Sequence, residues 1–429
     1  MSIFTDYPAI LEQVQQHFSN QYSNLQNNDP VYIKEQIRQY IIAYGIHSED
    51  LPGTDTLTEY VYHDMMGFSF ITRENLFDIE DFEELNINSW DDVDIKISGI
   101  SRKTEYTFLS PQHSIDIHQR MLRLSKTVID HSMPRAVTEI QKNIRICVER
   151  VPIVDEDVGI ASSIRKVRSG YVPKEELIKW KTANEDMLDF LLLCLRNGVS
   201  VCISGETGSG KTTLAGALIA IIAQELRTVT IEEGSREWDF RTRKNGRISN
   251  SVLHLKTREH EDARFNISQE VLVKDALRLD PDFLPIGEIR GAEAYEVMSA
   301  SITGHTVITT VHSGGTADTP LRLMLLAKKA YDLSDSTLLY MASKAFPILV
   351  HIEQSKDNVR RVVDIAEVTS FRDNAAQVSS IFRFDVEDHI RTENGIKVVG
   401  SFQKVGSISK ELSLLLLRKG ASKSELERF

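Results

Sequence analysis

One stretch, Val199 to Leu214, constrains this 429-residue chain more than any other. The β-branched apolar run Val199-Ser200-Val201-Cys202-Ile203 leads into Gly205-Glu206-Thr207-Gly208-Ser209-Gly210-Lys211-Thr212, and helix-forming residues follow at once. This is the G-x-x-x-x-G-K-[ST] pattern in its strand–loop–helix setting. Glycines let the backbone turn so that successive N–H groups point inward at phosphate oxygens, and the helix start adds its positive dipole end. Lys211 is placed to reach the β- and γ-phosphates and the Thr212 hydroxyl to ligate Mg²⁺. A chance glycine-rich turn has no reason to sit between such a strand and such a helix. Gly205, Glu206, Thr207, Gly208, Ser209, Gly210, Lys211, Thr212 and Thr213 are therefore the expected nucleotide-binding residues, with ATP and Mg²⁺ as the ligands.

The length suggests about three domains, and 41% hydrophobic with 26% charged residues is ordinary globular composition. Cys147, Cys194 and Cys202 have no metal-ligand spacing and lie in apolar runs, so they read as buried thiols of a reducing compartment. The N-terminus lacks the basic–apolar–small succession of a signal peptide. The longest late apolar run, Leu412 to Leu417, is far too short to span a bilayer. The expectation is a cytoplasmic chain, carried to the cytoplasmic face of a membrane only by partners. The net charge of −12 is unevenly placed: residues 1–100 carry 18 acidic and 4 basic side chains, the remainder 44 and 46. An acidic front end disfavours non-specific duplex binding there. It suits a basic partner or a merely solvated face.

Along the chain, residues 1–80 read mainly as helices, at Ile10–Phe18 and Val31–Tyr44, separated by the polar stretch Asn20–Pro30. From Leu85 the pattern alternates, at Leu85–Asn88 and Val93–Ile97. Ile115–Ile129 has helical spacing, and Ile144–Val148 and Gly159–Val167 look like strands. Residues 81–170 thus predict an α+β domain, a small sheet with helices on one side. Beyond the GYVP boundary at 170–173, strands and helices alternate: Val199–Ser204, helix Thr212–Leu226, Thr228–Ile231, helix Gln269–Leu279, Phe283–Gly287, helix Ala292–Thr303, Thr306–Val311. That is the alternation of an α/β doubly wound parallel sheet. From about residue 340 the strand-like Val359–Val368 and Val398–Val405 and the amphipathic Lys410–Leu417 suggest a C-terminal subdomain on the same 171–429 domain.

Ligands of open α/β sheets bind at the carboxyl ends of the strands. Glu232 and Glu233 end one predicted strand, Glu288 the next, and His312 the strand Thr306–Val311. Taken singly, each has a bland reading as a solvated or hydrogen-bonded turn residue. Convergence on the edge that holds Lys211 and Thr212 favours a site.

The order of glycine-rich loop, acidic pair, Gly287-Glu288-Ile289-Arg290-Gly291, and Gly304-His305 followed by Thr310-Val311-His312 resembles the ATPases of type II and type IV secretion, conjugation and pilus assembly. Val252–Arg258 and Leu272–Asp282 are similar to the CpaF-like branch, and the resemblance covers roughly residues 80–410. It implies a RecA-like core preceded by a smaller α+β domain and a helical appendage. Glu288 matches the glutamate that orients water and the metal shell, Glu232 an acid near metal and water, and His312 a residue that senses the γ-phosphate. Arg145 and Arg165 fall where relatives place arginines that close over the phosphates. The implied metal set is Thr212, Glu232, Glu233 and Glu288. Also implied are a homohexameric ring and inner-membrane machine components as partners, with no sequence-specific nucleic acid.

Two departures stand out. Glu233 replaces the usual aspartate, and Pro285 interrupts a central strand, marking either a bulge beside the site or a less fully paired strand. The absence of a CxxC pair leans the reading toward type IV secretion. A RecA-type DNA translocase is the competing assignment, weakened by the acidic front end and the lack of a basic, aromatic-interleaved patch. An ATP-binding regulator without turnover is disfavoured by the presence of Glu288.

Overall fold

Alternating residues at Phe82–Ser89 and Ile144–Arg150 dictate half-buried strands, and both form. The computed structural model describes residues 3–4, 6–21, 29–141, 143–166, 170–234, 237–258, 263–393 and 395–429. Two compact units divide the chain, Met1–Arg168 and Ser169–Phe429.

In the first unit, helices Tyr7–Gln21, Pro30–Ala43 and Thr54–Met65 bury Ile10, Val14, Ile37, Leu57 and Val61 in one cluster. Pro30 at the first turn and the Asp29 carboxylate, accepting the Val31 N–H, start the second helix. Of the polar stretch Asn20–Pro30, residues 22–28 lie outside the described residues. Six strands follow: β1 (Phe82–Ser89), β2 (Asp92–Ile97), β3 (Ile100–Lys103), β4 (Arg135–Gln141), β5 (Ile144–Arg150) and β6 (Ile160–Lys166). They form one antiparallel sheet in the order β3-β2-β1-β6-β5-β4. Helix Pro111–Arg123 packs Ile117, Met121 and Leu122 into the same core as Leu85, Ile146 and Ile164.

Two hydrophobic clusters share this unit: the helices up to Val61 build one, while Phe70, Ile71 and Leu76 already pack into the core of the sheet. The Arg120 guanidinium donates to the Asp64 carbonyl at 3.0 Å and the Gly67 carbonyl at 2.6 Å, stitching the helical part to the sheet part. Cys147 also departs from expectation. It sits partly exposed on β5, whereas Cys194 and Cys202 are fully buried, and burial pushes both of those thiols up.

The second unit is built on nine strands: β7 (Val201–Ser204), β8 (Thr228–Glu232), β9 (Val252–Lys256), β10 (Phe283–Ile289), β11 (Thr306–Val311), β12 (Ile348–Gln354), β13 (Arg360–Arg372), β14 (Ala375–Thr392) and β15 (Gly395–Lys404). Their order is β9-β8-β10-β11-β7-β12-β13-β14-β15. The first six in that order run parallel, and the last three continue the sheet antiparallel. Alternation along β7 sends Val201 and Ile203 to the face covered by helices Glu185–Arg196 and Lys211–Ile222. Cys202 goes to the face covered by helices Gln269–Ala276, Ala294–Ile302, Thr319–Ala327 and Asp335–Ala345. Helices on both faces of a parallel sheet are the doubly wound arrangement expected.

Strands after residue 340 continue the same nine-stranded sheet. β12 takes the free edge of β7, which leaves a template on which β13, β14 and β15 pair in turn. The C-terminal Phe429 closes this core, its ring 5.2 Å from Phe190, which in turn lies 5.8 Å from Phe382. Phe190 is wholly buried, so Phe190→Ala is expected to cost about 3–5 kcal/mol through lost contact and a cavity. A lowered denaturant midpoint reads this out; a loss under about 1 kcal/mol would show that Phe190 does not hold the C-terminus in the core.

Candidate nucleotide site

The carboxyl edge of the parallel strands positions the candidate residues. After β7 the chain turns through Gly205, whose φ is +155°; a Cβ there would lie 2.2 Å from the Ile352 carbonyl oxygen and 2.6 Å from Ser209 Oγ. No other residue fits that approach. Gly208 and Gly210 also take positive φ, at 79° and 100°. Gly210 then begins helix Lys211–Ile222, whose first turn is not capped by any side chain, leaving its N–H groups directed at the loop. The Ser209 hydroxyl is buried and has no hydrogen-bond partner among the described residues. A phosphate oxygen is the kind of group that would satisfy it.

Lys211 is 7% exposed, and its Nζ donates to the carbonyls of Gly205 at 2.9 Å and Glu206 at 2.7 Å. Burial lowers its pKa, with Glu288 working against that and Arg290 adding to it. His312, ending β11, bridges loop and strand: Nδ1 lies 3.2 Å from the Gly205 carbonyl and 3.4 Å from Lys211 Nζ, while Nε2 meets Glu288 Oε1 at 2.7 Å. The other Glu288 oxygen takes Arg290 Nη2 at 2.7 Å, and Arg290 Nη1 reaches Glu233 Oε2 at 2.7 Å. A continuous line of ionisable groups thus runs Glu233–Arg290–Glu288–His312–Lys211.

Glu288 owes its position to an irregular strand. The β10–β11 register slips between Ile286 and Ile289, and Thr310 Oγ1 donates to the Gly287 carbonyl at 2.8 Å. Pro285 itself sits opposite Ile308 in β11, and toward β8 the pairs on either side of it are Thr228 with Phe283 and Ile231 with Ile286. Both alternatives raised by the proline occur together: a sparse ladder at Pro285, and a bulge two residues later that turns Glu288 toward the loop.

Glu232 is 4% exposed, and its Oε1 accepts the N–H groups of Glu237 at 2.6 Å and Trp238 at 3.0 Å, so it organises the segment after β8. Glu233, the departure from aspartate, spends its added length on the ion pair with Arg290. Thr212 is partly buried and Thr213 exposed on the first turn of the helix. Among the described residues no group of three or more His, Cys, Asp or Glu side chains is gathered for a metal. The Thr212 hydroxyl and the Glu288 carboxylate are oxygen donors of the kind that hold Mg²⁺ together with substrate phosphates.

Arg145 and Arg165 lie in the other compact unit, as direct cross-strand neighbours on β5 and β6. Two residues without an assigned role in the sequence reading also touch the site. Arg290 was visible within the Gly287–Gly291 motif. Arg360 was not, since its Nε donates to the Gly208 carbonyl at 2.8 Å across 152 residues of sequence. Beside the loop, Glu206, Thr207 and Ser209 face Gln354, Ser355, Lys356 and Asn358 of the β12–β13 turn across a cavity of about 280 Å³.

With this geometry in place, comparison with known proteins is decisive. The sequence profile of the type II/IV secretion system protein family matches residues 117–391. The chain belongs to that family. Among curated relatives, it is similar to the conjugal transfer protein TrbB of Rhizobium radiobacter, 28% identical over 243 residues that make up 56% of this chain and 69% of TrbB. It is 33% identical over 199 residues to the type IV secretion system protein PtlH of Bordetella pertussis, a match spanning 45% of this chain and only 56% of PtlH. Among solved structures, the ATPase DotB of Legionella pneumophila superposes with a TM-score of 0.50 at 20% identity, covering 70% of this chain and 80% of DotB. This family member has the RecA-like P-loop fold, with a smaller unit ahead of the core.

Proposed function

We propose that this type II/IV secretion family protein is an ATP-hydrolysing motor of a type IV secretion, conjugation or pilus-assembly machine, working as a homohexameric ring at the cytoplasmic face of a membrane. The observation that carries the reading is His312, which joins Glu288 to the P-loop through Gly205 and Lys211. Hydrolysis of a phosphoanhydride needs charge neutralisation and a positioned water more than covalent help. In this reading Lys211, the loop amides and Ser209 hold the phosphates. Glu288 orients the attacking water, and His312 reports the γ-phosphate to Glu288. Arg290, itself paired with Glu233, holds the far carboxylate oxygen of Glu288. Bound through Thr212 and Glu288, Mg²⁺ would neutralise phosphate charge. Arg145 and Arg165, carried by another unit, would add guanidinium charge when that unit closes, which couples nucleotide state to motion.

The relatives' names, TrbB of conjugal transfer and PtlH of type IV secretion, support the machine class. No helix among the described residues is long and apolar enough to cross a membrane, so attachment would run through inner-membrane components. The test is magnesium-dependent ATP hydrolysis without nucleic acid, with specific activity rising as protein concentration drives assembly. Strict dependence on single-stranded DNA would instead assign the chain to the RecA-type translocases.

A further inference from the structure

Arg360 opens β13, immediately after the turn that lines the cavity beside the P-loop. Its Nε donates to the Gly208 carbonyl at 2.8 Å, and its Cδ would lie 3.1 Å from a Cβ placed on Gly210. A trans peptide is planar, so its C=O and N–H point to opposite sides. Fixing the Gly208 carbonyl on Arg360 therefore aims the Ser209 N–H away from Arg360, into the loop. There it donates to the Glu206 carbonyl at 3.3 Å, the same oxygen that Lys211 Nζ reaches at 2.7 Å. An amide N–H and an ammonium thus converge on one acceptor, the Glu206 carbonyl, which a phosphate oxygen would replace for both donors at once.

The Arg360 side chain is exposed, but the strand segment that carries it is anchored. The next residue, Arg361, is 4% exposed and makes a two-pronged ion pair with Asp357, at 2.6 and 2.7 Å. The Arg361 guanidinium also lies 5.1 Å from the Phe384 ring of β14. This pairing draws the Asp357 carboxyl down to about 2, and Asp357 also accepts the Val398 N–H of β15 at 3.4 Å. Successive residues of a strand face opposite ways. The antiparallel extension thus anchors one arginine while the neighbouring one reaches the loop.

We propose that Arg360 is a positioning residue that presents the Ser209 amide to the nucleotide, linking the antiparallel extension β13–β15 to phosphate binding. The inference rests on the nucleotide-site reading given above. Because Arg360 fixes the orientation of this peptide and does not touch the reacting atoms, its effect falls on binding of the diphosphate and the triphosphate alike, and not on the chemical step.

The test measures ATP and ADP affinity and steady-state hydrolysis for Arg360→Ala, Arg360→Lys and Arg360→Met. Loss of one charge-assisted hydrogen bond is expected to weaken both nucleotides about tenfold in Arg360→Ala, raising KM while kcat stays within about twofold. Arg360→Lys, which keeps a cationic donor, should recover most of the affinity. Arg360→Met, which keeps only bulk, should not. Unchanged affinity in Arg360→Ala, a fall in kcat with KM constant, or rescue by methionine equal to that by lysine would each overturn the proposal. If the wild-type protein itself binds neither nucleotide, the site reading fails and this inference with it. Wild-type binding with an indifferent Arg360→Ala variant sinks the inference alone.

Discussion

Lys211→Ala is expected to lower the affinity for ATP and ADP by two orders of magnitude or more, and to remove hydrolysis with it. The side chain is 7% exposed, and its ammonium bridges two loop carbonyls and the His312 ring. Keeping a cation in that buried place has a cost, visible in its lowered pKa. Bound phosphates would offset the cost, since a point charge reaching two phosphates in a site screened from water interacts far more strongly than on a surface. Removing the amine takes away that charge and the tether that holds the Gly205 and Glu206 carbonyls. Equilibrium binding of a fluorescent ATP analogue, competed with ATP, reads the effect directly. Wild-type affinity in Lys211→Ala would show that the phosphates lie elsewhere. The fold should survive, because helix Lys211–Ile222 buries Leu214, Leu218, Ile219 and Ile222 independently of the lysine.

Glu288→Gln is expected to bind ATP within about threefold of wild type and to lose turnover by a factor of roughly a thousand. The phosphate cradle is built from Gly205–Thr212 and does not need the carboxylate. The carboxylate is the group between His312 Nε2 and the Arg290 guanidinium, each at 2.7 Å. An amide of the same shape keeps the packing but cannot accept at both ends or orient water as an anion does. Loss of binding in step with turnover would refute this division of labour.

Much of the catalytic half was legible because its signals are local. An eight-residue loop motif fixes one strand and one helix around itself. The β-branched runs at Thr228–Ile231 and Thr306–Val311 are buried on both faces of a parallel sheet, so they stand out as unbroken stretches of Thr, Val and Ile. Strand ends then place Glu232 and His312, whereas Glu288 sits inside Phe283–Ile289 and is turned by the register slip there. What stayed hidden depends on contacts between distant residues. The Glu233–Arg290 ion pair spans 57 positions, and it explains why glutamate is accommodated where aspartate was expected. The Arg360–Gly208 contact has no sequence signature at all.

The longest strand, Ala375–Thr392, was missed for a different reason. It carries Arg383, Asp385, Glu387, Asp388 and Arg391 among its apolar residues, so burial patterning fades along it. The readable signal was the turn before it. Asp373 and Asn374 both take positive φ, 52° and 57°, in the two-residue loop that joins β13 to β14. Asx residues at such a spot favour a tight hairpin, which commits the following residues to pair back on the preceding strand. In the first unit, helical spacing at residues 1–80 was readable, but the Arg120 hydrogen bonds that unite it with the sheet were not.

The central claim is that one composite site both binds and cleaves ATP, with Glu288 serving cleavage alone. The most direct measurement incubates wild-type and Glu288→Gln protein with magnesium and ATP, separates protein from free nucleotide, and identifies what remains bound. The account predicts ADP on the wild type and intact ATP on Glu288→Gln. Intact ATP on both proteins, or ADP on both, would contradict it.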